Sequence, residues 1–297
     1  MHFIDLCFLG MKRVTGAAVL EGPSGLALID PGPTSCLPAL ESGLAEHGRQ
    51  LQDVNTILLT HIHLDHAGSV GALLQRLPRA VVYVHERGAP HMVDPSRLLA
   101  SATRLYGANM ERFWGEVLPC PEDRLRVLSG GERIEEAGRT FDVRYTPGHA
   151  SHHVSFFDTT DGLAYVGDTG GIRDANNYVK APTPPPDIDL EQWEDSLTTI
   201  EAWRPSALVL THFGRVDDVT GHLRQFRTVL ARQAALVRES LASEGTDEER
   251  IRTFVETMRN EARRTRPAED AASAEAAATF DQLWQGLARY WRKKVQT

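Results

Sequence analysis

The chain has 297 residues, 41% of them hydrophobic and 24% charged, an ordinary globular composition with length enough for a sizeable core. A formal charge of −8 argues against a nucleic-acid backbone as the main partner, and no apolar run approaches the roughly 18 residues that would mark a membrane span. Cys7, Cys36 and Cys120 lie far apart with no CxxC pair, which fits free thiols in a reducing cytoplasm better than a zinc or disulfide framework.

The first ten residues hold an apolar run broken by Asp5, with no basic segment before it, so they read as a strand and not as a secretory leader. Residues 14–20 and 26–30 read as two strands around the turn Gly22-Pro23-Ser24-Gly25. Asp30-Pro31-Gly32-Pro33 then breaks the chain sharply. Asp30 has two readings there, a turn residue or a carboxylate standing behind a metal-binding histidine and orienting it. Residues 37–47 follow as a helix.

The short β-branched run 56–60 leads into His61-Ile62-His63-Leu64-Asp65-His66, four potential metal ligands at i, i+2, i+4 and i+5. On a helix, i and i+2 point apart; on a plain strand, His66 faces away from the other three. Convergence requires a strand that turns at once into a helix, and residues 67–77 supply the helical pattern. Residues 80–84 form another buried strand ending at His85. His85 and His91 fall near the same edge, but a lone histidine is more often structural, and both stay outside the ligand set.

Residues 96–118 break the strand–helix rhythm with helical spacing, and their position suits a lid over a pocket, with Tyr106 or Trp114 facing substrate. Three later strands each end in a candidate ligand: 140–145 before Pro147-Gly148-His149, 162–166 before Gly167-Asp168, and 207–210 before Thr211-His212. Together with residues 61–66, they bring seven ligands to one sheet edge, where ligands collect in α/β folds. His152 and His153 compete with His149, which is preferred because the Pro147-Gly148 turn aims it back at the sheet end. Residues 172–186 are a loop by composition, and Arg173, Tyr178 and Lys180 are its side chains able to bind an anion or donate a proton.

Residues 190–203 are helical. From 220 onward three amphipathic helices are expected, the second opened by the capping box Thr246-x-x-Glu249, with the Ala/Glu-rich stretch 267–278 as a linker or helix start. Arg263, Arg264 and Arg266 need no more than a solvated helix end. These helices either close the pocket or build a homodimer contact.

His61-x-His63-x-Asp65-His66, Pro147-Gly148-His149, Gly167-Asp168 and Thr211-His212 together resemble the metallo-β-lactamase superfamily over about residues 1–215. The resemblance implies an α/β fold, an αββα sandwich with a C-terminal helical extension. Residues 1–218 would be the catalytic domain, with 96–118 as its lid-like insertion, and 219–297 the extension. It further implies that His61, His63 and His149 bind one metal ion, Asp65, His66 and His212 a second, and that Asp168 bridges them. The flavodiiron branch has a glutamate where this chain has His63.

Imidazole and carboxylate suit two Zn²⁺ ions, and the same set can hold Fe or Mn. Such a pair, about 3.5–4 Å apart, shares a water and lowers its pKa from near 16 toward about 7. The expected function is therefore a cytoplasmic metal-dependent hydrolase, in which a metal-bound hydroxide oriented by Asp65 cleaves a carbonyl ester, thioester or lactone of a small molecule. No GxSxG nucleophile competes. Thr211-His212-Phe213-Gly214 departs from the Gly-His-Glu-Tyr type of motif of glyoxalase II, which bears on glutathione recognition. The alternative is a mononuclear iron oxidoreductase of the persulfide dioxygenase kind; a nuclease of the ribonuclease Z kind is disfavoured by the acidic balance. No nucleic-acid or membrane partner is expected.

Overall fold

A computed structural model describes residues 1–174, 178–265, 275 and 278–296. Asn176, Asn177 and Arg266, and all of the expected linker except 275 and 278, lie outside the described residues.

The first sheet holds β1 His2–Asp5, β2 Gly16–Gly22, β3 Gly25–Ile29, β4 Val54–Leu58, β5 Val81–His85 and β6 Leu125–Leu128, in that spatial order. The first three strands are antiparallel neighbours, and β3 to β6 run parallel. The second sheet holds β7 Arg133–Glu136, β8 Arg139–Tyr145, β9 Val154–Asp158, β10 Leu163–Tyr165, β13 Ala207–Leu210 and β14 Gly214–Val216. Its order is β14-β13-β10-β9-β8-β7, with β10 and β13 parallel and the other neighbours antiparallel. A separate hairpin pairs β11 Ile172–Arg173 with β12 Val179–Lys180.

Both sheets are covered on their outer faces. On the first lie α1 Leu37–Glu46, α2 Leu64–Ala67, α3 Val70–Arg76, α4 Ala89–Val93, α5 Ser96–Tyr106 and α6 Met110–Trp114. On the second lie α7 Leu190–Ala202, α8 Val219–Ala242, α9 Asp247–Thr265 and α10 Phe280–Gln296. This is an αββα sandwich.

Strand alternation builds it. In β2, Ala17 and Val19 enter the core under the first helical layer while Ala18 and Leu20 enter the core between the sheets. In β13, Ala207 and Val209 face the first sheet while Leu208 and Leu210 face α7 and α8. A strand buried on both faces reads as a continuous apolar run, as Ala-Leu-Val-Leu does here.

Several expectations are corrected by this architecture. The strands that end in candidate ligands belong to two sheets, β4 to one and β8, β10 and β13 to the other. The stretch 172–186 is not all loop, since β11 and β12 interrupt it. Strands β6, β7, β9 and β14 had no place in the sequence reading. β6 and β7 are edge strands with exposed positions, such as Val127 at 59% exposure, and so lack the apolar run that marked the others. The helices α8 to α10 share one core with Ala164, Leu208 and Leu210 of the second sheet.

Candidate metal centre

The parallel register of β3 and β4 pairs Ile29 with Leu58, so the residues just beyond both strands stand side by side. Asp30 Oδ1 accepts the backbone N–H of Thr60 at 2.9 Å, and its Oδ2 accepts the Thr60 hydroxyl at 2.7 Å. The chain leaves β4 after Leu58, passes through His61, caps α2 with His63, and places Asp65 and His66 in that helix's single turn. This strand-to-helix change lets all four side chains converge.

From the second sheet come His149 after β8, Asp168 after β10 and His212 after β13. Two glycines permit the approach. Gly148 has φ +133°, and a Cβ there would lie 2.4 Å from Cα of Trp193. Gly167 has φ +43°, and a Cβ there would lie 2.5 Å from Thr60 Oγ1, the residue before His61.

Three groups of potential ligand atoms result, each within 4.8 Å: His61, His63 and His149; Asp65, His66 and His212; and His61, His66 and Asp168. The third takes a residue from each of the other two, so the sites adjoin. His63 Nδ1 lies 3.0 Å from His61 Nε2 and 2.9 Å from His149 Nε2. Asp168 Oδ1 lies 3.3 Å from His66 Nε2 and 3.4 Å from His212 Nε2, while its Oδ2 is 3.4 Å from His149 Nε2. Asp65 Oδ2 is 3.3 Å from His212 Nε2.

The far sides of the rings decide where their protons sit. His149 Nδ1 donates to the Pro182 carbonyl at 2.8 Å, His212 Nδ1 to the Val14 carbonyl at 2.6 Å, and His66 Nδ1 to Asp30 Oδ2 at 2.8 Å. His61 Nδ1 is 3.1 Å from Thr60 Oγ1, whose own proton goes to Asp30, so that oxygen accepts from the ring. In the neutral form, all four imidazoles therefore aim an Nε2 lone pair inward. His66 Nε2, His212 Nε2 and Asp168 Oδ1 are buried with no hydrogen-bond partner among the described residues. Acceptors facing acceptors in a dry site need a cation or protons between them.

The electrostatics carry the same mark. Burial pushes His61 well below an ordinary imidazole, brings His63 down to about 4, and lowers His149. Burial also opposes charge on His66, yet Asp65, Asp168 and Asp30 outweigh it and push that ring well above the usual range. His212 rises likewise, against burial, through Asp168 and Asp65. A pocket that forces protons onto buried imidazoles is one that a divalent cation fits. The residue types, neutral imidazole and carboxylate, suit that cation.

A sequence profile of the metallo-beta-lactamase superfamily matches residues 13–212. The chain belongs to that superfamily. It is 30% identical over 230 residues to a metallo-beta-lactamase fold-containing protein of Sulfurisphaera tokodaii, covering 76% of this chain and 83% of that one. A hydroxyacylglutathione hydrolase of Synechococcus is 32% identical over 143 residues, which are 48% of this chain and 43% of that enzyme. The solved structure of a metallo-beta-lactamase family protein from Thermus thermophilus superposes with a TM-score of 0.67 at 24% identity, over 95% of this chain and 89% of that one. Membership makes the protein a metallo-hydrolase of this fold, a superfamily that binds divalent metal ions.

In this metallo-β-lactamase-fold enzyme, a cavity of about 290 Å³ opens over His63, Asp65, His149 and Asp168. Leu98, Ala102, Leu105 and Tyr106 of α5 and Trp114 of α6 wall it. Opposite stand the Pro182 and Pro184–Pro186 segment and Gln282 of α10. Thr183 Oγ1 donates to the Leu283 carbonyl at 3.1 Å, and that bond ties the proline run to α10. Of the C-terminal helices, α10 thus forms part of the pocket wall.

Arg173, Tyr178 and Lys180 are not among the residues that line this cavity. Arg173 and Tyr178 are half-buried at the β11–β12 hairpin, and Lys180 is buried with Nζ donating to the Ala278 carbonyl at 2.9 Å. The cations that do line the cavity are Arg87 and Arg97, both exposed, with His91 beside them. Arg87 was findable, because β5 runs parallel to β4 and ends two residues before it. Gln282 carried no local signal. His85 stacks on Tyr145 at 4.6 Å, a packing role, and His153 is buried against Thr146 and Thr169.

Proposed function

We propose that the protein hydrolyses a carboxylic ester, thioester or lactone of a small molecule in the cytoplasm, using two zinc ions. His61, His63 and His149 would hold one ion, Asp65, His66 and His212 the other, and Asp168 both. The observation that carries this reading is the inward set of Nε2 lone pairs, completed by two adjoining groups of three ligands that share Asp168's surroundings. Two such ions supply a polarised carbonyl and a water that ionises near neutral pH.

The chain's own residues do the rest. The carbonyl and carboxylate acceptors behind His149, His212 and His66 hold each imidazole's tautomer and direction. Asp65, with its side chain 19% exposed, opens toward the cavity and can take a proton from the attacking water. The apolar wall of α5 excludes water around an acyl chain, while Arg87 and Arg97 suit a substrate with an anionic end. Three free thiols agree with a reducing compartment.

Metal analysis of protein purified without added metal, followed by a panel of acyl-thioesters, lactones and phosphodiesters, tests the proposal. Two zinc ions per chain and chelator-sensitive turnover of an acyl compound are expected. One iron per chain with oxygen uptake would instead support the dioxygenase reading, and turnover of phosphodiesters alone would overturn the acyl assignment. Asp168→Ala should lower both metal occupancy and turnover.

A further inference from the structure

His152 lines the cavity but belongs to none of the three ligand groups. Its ring lies nearly parallel to that of His61, with centroids 6.0 Å apart, and edge-on to His63 at 5.5 Å. The backbone N–H of Ile62 donates to His152 Nδ1 at 3.4 Å. A peptide N–H offers no lone pair, so Nδ1 carries none of the ring's protons, and the neutral ring has its proton on Nε2. This is the reverse of His149, His212 and His66, whose Nδ1 atoms donate and whose Nε2 atoms face the site as acceptors.

Nε2 of His152 has no hydrogen-bond partner among the described residues, yet it is not among the polar atoms sealed in the interior without one. The residue retains 9% of its exposure, and the face it shows is the cavity. The reacting end of the cavity is otherwise built of acceptors: His63, Asp65, His149 and Asp168. A lone N–H beside them is unsuited to metal ligation and suited to an oxygen that gains negative charge.

We propose that His152 Nε2–H is a hydrogen-bond donor to the carbonyl oxygen of the bound acyl substrate, strengthening as that oxygen becomes negative. The role rests on the hydrolase reading above. It requires no change of protonation on His152, since the ring donates a hydrogen bond and keeps its proton.

The test uses the zinc-loaded full chain and two variants. His152→Leu removes the donor; His152→Gln keeps one, together with an acceptor for the Ile62 N–H. We expect His152→Leu to lower kcat about 10²–10³-fold, the usual cost of losing one such donor, with KM within a few-fold and zinc content unchanged. His152→Gln should recover most of that loss. Ring ¹⁵N shifts of wild-type His152, metal-free and zinc-loaded, should show the Nε2–H tautomer. An Nδ1–H tautomer overturns the proposal. So does a Leu variant with wild-type kcat, or one whose loss is explained entirely by lost zinc, which would make His152 a positioning residue. Wild-type protein inert to every acyl compound would overturn the hydrolase reading itself, and this role with it.

Discussion

Asp30 joins the turn to the metal site at the scale of one residue. Its φ is +51°, in the left-handed region where most side chains are strained and Asp and Asn are tolerated. Its fully buried carboxylate accepts from Thr60 N, Thr60 Oγ1, Thr211 Oγ1 and His66 Nδ1. The two readings open at the sequence level, turn residue and orienter of a histidine, therefore both describe its surroundings. Asp30→Asn keeps the backbone conformation and the shape while removing the charge. Metal affinity should fall about 10–100-fold, the usual effect of losing such a partner, with the fold retained. Zinc titration against a competing chelator measures it; unchanged affinity would mean that His66 needs no carboxylate behind it.

At the scale of elements, α5 walls the cavity while the β11–β12 hairpin lies outside its lining. The hairpin is a strut: Lys180 lies under α8 and reaches the Ala278 carbonyl, just before α10. Lys180→Met keeps most of the volume but leaves that buried carbonyl without its charged donor, at a cost of about 1–3 kcal/mol. A lower Tm with unchanged KM is expected, where the loop reading would have raised KM. The cavity cations should behave in the opposite way. Arg87→Ala and Arg97→Ala remove exposed charges worth about 1 kcal/mol or less each, so KM for an anionic acyl substrate should rise up to about fivefold. Neutral substrates, Tm and zinc content should not change. Equal effects on charged and neutral substrates would show that these arginines only pack.

Over the whole molecule, three apolar cores are stacked across two sheets, and the last of them needs the C-terminal helices. Leu223, Phe226 and Leu230 of α8 cover the same surface that Leu208 and Leu210 present from β13. Ending the chain at residue 218 would bare that surface along with Trp193 and Leu197 of α7, which lie in the same core. Such a truncation should be insoluble or lack a cooperative thermal transition; a soluble, cooperatively melting product would show that the αββα part stands alone. The metal centre joins both sheets, since His61 follows β4 and His149, Asp168 and His212 follow strands of the other. A metal ion bound there would tie the two sheets together and stabilise the fold by mass action, about 2.7 kcal/mol at a free concentration of 100 Kd. Chelation should therefore lower Tm by roughly 4 °C at that saturation, read by a thermal melt before and after metal removal.

The sequence by itself determined whatever depends on local spacing. The His61–His66 run requires a strand that turns into a helix, and β4 followed by α2 is such a turn. Apolar period placed α1, α7 and the three C-terminal helices to within a few residues, and the box at Thr246 and Glu249 forms both of its reciprocal hydrogen bonds. Tertiary structure alone decided which side chains share a cavity and which nitrogen of each histidine carries its proton. The partners that settle those protons are backbone carbonyls such as Pro182 and Val14, or a peptide N–H such as that of Ile62. Every residue has such groups, so nothing in the side-chain pattern marks the ones that matter. A two-residue strand such as β12 is also too short for alternation to fix its facing, and its pairing with β11 and packing under α8 buried Lys180.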